Sequence, residues 1–70
     1  MNDNKVVKLI ELTGTSATSV EEAVNTALAK ASESVRNMRW FEVTDIRGAI
    51  HEDQVAQWQV TLKAGFAVDD

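Results

Sequence analysis

The sequence predicts an α+β fold of order β-α-β-β, with a three-stranded antiparallel sheet packed on one helix. Three observations predict it. Residues 54–68 alternate between apolar and polar with a period of two. Residues 20–35 place apolar side chains at spacings of three and four. Two strand-like runs are separated by the polar tetrapeptide His51-Glu52-Asp53-Gln54.

The first strand spans Lys5 to Leu12, a short run rich in β-branched and apolar residues. Thr13-Gly14-Thr15-Ser16 follows as a cluster of turn-forming residues. Ser19 and Glu22 have the spacing of a capping box, and Glu21 and Glu22 add negative charge at the positive end of the helix dipole. The helix is then read as about five turns, with Val20, Ala23, Val24, Ala27, Leu28, Ala31 and Val35 on one stripe. So much alanine in the stripe permits close approach to a flat surface such as a sheet.

The second strand runs from about Trp40 to Ile50 and the third from about Gln54 to Val68. A two-residue turn at Glu52-Asp53 sets their register, although it lacks the glycine usual in hairpins. Phe41 then faces Ala64 and Val43 faces Leu62, with Trp58, Val60, Leu62 and Phe66 turned toward the helix. On the opposite face Glu42 meets Lys63, Thr44 meets Thr61, Ile46 meets Gln59 and Trp40 meets Gly65. Paired threonines and opposite charges are favourable cross-strand neighbours. A returning helix makes the first and second strands run the same way, so the third lies between them. One face of the sheet is left without a second layer, and it carries Trp40.

Seventy residues allow one domain, 1–70, and a small core. There is no cysteine, and His51 is the only histidine, so disulfides and zinc cages are not available as staples. Oligomerisation is the remaining external source of stability. Seven basic residues against eleven acidic ones give a net charge of −4, which disfavours phosphate backbones and anionic membranes. No apolar run approaches the length of a membrane span, and Met-Asn-Asp-Asn-Lys lacks the apolar core of a signal peptide, so a cytoplasmic protein is expected. Gly14-Thr15-Ser16 has no P-loop lysine, and one histidine at a turn makes a Ser-His-Asp triad improbable. No catalytic constellation is present, so an enzyme is not expected.

Taken alone, the candidate residues have ordinary roles. Trp40 is an interface tryptophan, Gln59 a polar residue on an open sheet face, and Arg47 an exposed partner of Asp45 or Glu52. The longer motifs point further. Arg39-Trp40-Phe41-Glu42-Val43 followed by Ile46-Arg47-Gly48, the turn Glu11-Leu12-Thr13-Gly14-Thr15-Ser16, and Gln59-Val60-Thr61-Leu62-Lys63-Ala64-Gly65-Phe66 together resemble the dodecins, in order and at matching spacing. The resemblance extends from about Val6 to Val68.

The resemblance implies a hollow homo-oligomeric shell, a dodecamer, that binds flavin between symmetry-related tryptophans. By position Trp40 would supply the stacking surface and Gln59 the amide for the polar ring edge. Arg47, with Asp45 beside it, would lie toward the phosphate. The implied cofactor is FMN, with riboflavin or FAD as alternatives and coenzyme A as a second ligand. The implied function is flavin storage and sequestration, which limits free flavin and its photochemistry. A structural oligomer or protein-interaction module without flavin is the competing reading. A flavoenzyme ranks below both, because a ring between two tryptophans leaves little room for a substrate. One departure is Ala67, which stands where several bacterial dodecins carry an arginine. It leaves the choice between FMN and riboflavin open.

Overall fold

Runs of β-branched and apolar residues draw the chain into three long strands around one short helix. The computed structural model describes residues 4–68; Met1-Asn2-Asp3 of the polar start and Asp69-Asp70 lie outside the described residues. The elements are β1 (Val7–Ser16), α1 (Val20–Ala31), β2 (Met38–His51) and β3 (Gln54–Ala67). They form one antiparallel sheet of order β1-β3-β2, as the sequence predicts.

β1 begins at Val7 and not Lys5, β2 begins two residues before Trp40, and two further boundaries differ more. Thr13–Ser16 is not a turn but the end of β1, paired with Thr61, Val60, Gln59 and Trp58. Ladder pairing with β3 outweighs local turn preference here, and the Thr13 and Thr61 hydroxyls hydrogen bond at 2.8 Å. The helix has twelve residues, not five turns, and ends at Ala31. Past it the Glu33 and Ser34 amides bond three residues back, to the Lys30 and Ala31 carbonyls, in a tightened final turn. Asn37, with φ of 65°, reverses the chain into β2.

The N-cap is half of the expected box. Ser19 Oγ accepts from the Glu22 amide at 3.0 Å. The Glu22 carboxylate does not return to Ser19. It accepts instead from Ser16 Oγ and Thr18 Oγ1, both at 2.7 Å. Those two bonds, Thr18 first, hold the Glu22 carboxyl below its ordinary value of 4.5.

The buried core is Ala23, Val24, Ala27, Val60, Leu62 and Ala64, and the side chains packed on it are Ile10, Leu12, Val20, Leu28 and Met38. Trp58 and Phe66, expected under the alanine stripe, are only half-buried. Gly14 shows why the helix sits so close to β1. A methyl there would collide with the Ala23 carbonyl oxygen and lie 2.9 Å from Ala27 Cβ. The helix covers β1 and part of β3, and of β2 only Met38 packs on the core. Phe41, Val43 and Ile46 therefore stay exposed on the helix side of the sheet.

Candidate functional site

Strand pairing organises the face turned away from the helix into four rows across β2, β3 and β1. The rows are Trp40-Gly65-Leu9, Glu42-Lys63-Glu11, Asp45-Thr61-Thr13 and Arg47-Gln59-Thr15. The first is apolar, the second charged, the third largely hydroxyl and the fourth a guanidinium with an amide. All four predicted site residues, Trp40, Asp45, Arg47 and Gln59, lie on this face.

A β-bulge is what brings Asp45 and Arg47 there, while Trp40 and Gln59 lie on this face in the regular register as well. The register shifts between Val43 and Asp45, so Thr44 is the extra residue, its Oγ1 donating to the Thr61 carbonyl at 3.3 Å. The regular register expected from the sequence placed Thr44 opposite Thr61 and Ile46 opposite Gln59. The bulge corrects both: Asp45 faces Thr61, Arg47 faces Gln59, and Ile46 turns to the helix side against Val60. Glu42 and Lys63 are cross-strand partners as expected, but among the described residues no ion pair within 4 Å joins them.

Trp40 lies at the opposite end of the face, held flat by its neighbour. Gly65 is buried, and a methyl group on it would run into Cε2 of the indole and reach Cζ2 at 2.5 Å and Nε1 at 2.8 Å. Even so, Trp40 is 47% exposed. Leu9, on the other side of Gly65, is also exposed. Leu9 is the site neighbour that sequence reasoning missed; only the β1–β3 register reveals it.

At the other end Arg47 Nε donates to Asp45 Oδ2 at 3.1 Å. This leaves the outer nitrogens of the fork free to receive an anion. Gln59 Nε2 donates to Gln57 Oε1 at 3.1 Å, which presents a pair of amides. Six residues of strand separate Gly65 from Gln59, which is about 20 Å. That backbone separation exceeds the length of one three-ring heterocycle.

These residues fit a flavin by type. An exposed, electron-rich indole suits a flat, electron-poor ring system. A carboxamide suits an edge that both donates and accepts. An arginine suits a phosphate. Fold and site together define a small β-α-β-β protein with an aromatic seat on the open face of its sheet.

The dodecin family model matches residues 6–69, and the chain belongs to the dodecin family. A dodecin from Thermus thermophilus is 46% identical over 66 residues, covering 94% of this chain and 96% of that protein. The crystal structure of a Thermus thermophilus protein superposes with a TM-score of 0.91 at 45% identity, covering 96% of this chain and 98% of that one. The dodecin of Streptomyces coelicolor gives 0.91 at 43% identity, with 99% of each chain covered. A Mycobacterium tuberculosis relative, 30% identical with a TM-score of 0.78 over 91% of each chain, is described as a calcium-chelating dodecin with a novel calcium-binding site. Among the described residues of this chain no group of three or more His, Asp or Glu could hold a metal ion, and no helix is long and apolar enough to cross a membrane.

Proposed function

We propose that this chain binds flavin, FMN first, in a homo-oligomeric shell of twelve copies, and stores or sequesters it without turning it over. Residues 1–70 act as one domain. The observation that carries this reading is the half-exposed indole of Trp40 seated flat on Gly65, about 20 Å along the strand from Gln59. That separation favours a composite site, with Trp40 of one copy facing the Gln59 of another. Arg47, tethered by Asp45, receives the phosphate end. The bound flavin contributes its ring as an electron acceptor, so stacking against an indole quenches its fluorescence. Trp40 supplies the stacking face, Gln59 orients the polar edge, and the closed assembly excludes water.

The test is a titration of FMN and of riboflavin with purified protein, followed by flavin fluorescence. Micromolar protein should quench both, and unchanged fluorescence ends the reading. Mass spectrometry of the ligand carried through purification identifies the flavin and reports whether coenzyme A accompanies it. Cytoplasmic location belongs to the same proposal and is checked by cell fractionation.

A second reading is a structural homo-oligomer without flavin. The exposed apolar strip of Phe41, Val43 and Ile46 favours it as far as assembly goes. A colourless protein that assembles and does not quench flavin would establish it.

A further inference from the structure

We propose that Gly65 is a positioning residue: it sets how deep the Trp40 indole sits on the sheet, and so how wide the flavin slot is. The inference rests on the stacking role proposed for Trp40 and deepens it. The three heavy atoms nearest to a methyl on Gly65 all belong to the Trp40 ring, Cε2, Cζ2 and Nε1. Ordinary carbon–carbon contact is about 3.5–4.0 Å, so adding the methyl must lift the indole by about 1 Å. No other feature of Gly65 asks for glycine. Its φ is not positive, and its neighbours Ala64 and Phe66 continue the strand on either side. What a side chain at this position would meet first is the indole.

Depth matters because a slot lined by two copies of one side chain counts each displacement twice. If each indole rises by about 1 Å, a gap made for flat rings closes by about twice that. Strand pairing also ties the seat to its surroundings, since Leu9 borders Gly65 on the side away from Trp40. Leu9, Gly65 and Trp40 thus form one apolar row across the sheet.

The test is a double-mutant cycle in the full chain with Gly65→Ala, Trp40→Phe and the pair. Three readouts are taken: FMN quenching, near-ultraviolet circular dichroism and melting temperature. Gly65→Ala should weaken FMN binding about tenfold or more, the scale of one lost ring stack, and should change the near-ultraviolet spectrum without flavin present. In the Trp40→Phe background, where the ring is shorter, the same alanine should cost less than about twofold in affinity and leave the melting temperature nearly unchanged. Wild-type affinity and an unchanged spectrum in Gly65→Ala would overturn the proposal. So would an equal loss of melting temperature in both backgrounds, which would mark Gly65 as a backbone requirement. Should Gly65→Ala fail to fold, folding of the double variant supports the proposal and its failure overturns it. If wild-type protein does not quench flavin, the stacking reading falls, while the spectrum and melting arms still decide whether Gly65 seats the indole.

Discussion

Removing the Trp40 indole takes away a flat apolar surface and uncovers Gly65, but removes none of the buried core. Trp40→Ala should weaken FMN binding by about tenfold to a hundredfold, since stacking on one aromatic contributes about 1–3 kcal/mol. Size-exclusion chromatography of the variant should show the assembly retained. Gly14 is the opposite case, a glycine that matters to the fold alone. Gly14→Ala drives a methyl into the Ala23 carbonyl and against Ala27. Overpacking of this kind costs about 1–3 kcal/mol, so the melting temperature should fall. Glu22 adds a dependence on pH. Its carboxyl is held below 4.5 by Thr18 and then Ser16, so its contribution is present above the unfolded value and is lost as pH falls through the lower folded one. The difference in melting temperature between wild type and Glu22→Gln should be largest near neutrality and shrink below pH 4.5. A difference that grows on acidification would rule this out.

Among the elements, the β2–β3 hairpin was the most legible. Its long period-two alternation predicted β3 almost to the residue, and the pairs Phe41-Ala64, Val43-Leu62 and Trp40-Gly65 all occur. The Thr44 bulge was not legible, because no residue type announces an extra residue in a strand. Only the ladder reveals it, and it changes which side chain faces Gln59. Thr13–Ser16 read as a turn because Gly, Thr and Ser favour turns, yet β3 supplies a partner for each residue. The helix read too long because the apolar spacing continues to Val35 after the backbone has left the helix. The hairpin turn yields a prediction of its own. Glu52 and Asp53 have φ of 52° and 65° without being glycine. A left-handed non-glycine residue costs about 1–2 kcal/mol, and glycine gives back about 0.5–1 in chain entropy. Asp53→Gly should therefore stabilise by about 0.5 kcal/mol, seen as a small rise in melting temperature.

At the scale of the whole molecule, one chain looks unfinished. Its radius of gyration is 14.8 Å and its longest dimension 60 Å, against about 11 Å for a compact chain of this length. It exposes 5343 Å², where a compact monomer of 7.7 kDa exposes about 4300 Å². The surplus includes Phe41, Val43 and Ile46, a strip that the helix does not reach. Apolar surface of this kind marks an interface. Ile46→Lys, placed in that strip and away from the rows of the open face, should break the assembly and abolish the proposed flavin binding with it, as read by sedimentation and quenching on the same sample. A monomer that still binds FMN with full affinity would mean that the site lies within one chain. Beyond Trp58 the hairpin consists of two strands only, and a lone two-stranded ribbon is marginal in water. Backbone amides near Val55 should therefore exchange hydrogen quickly when the protein is dilute and slowly once it is concentrated, while those of Val60 and Leu62 stay protected throughout. Exchange at the tip that slows with concentration would mean that for this part of the chain becoming ordered and meeting its own kind are a single event, so that a newly made copy stays half-built until there are enough others.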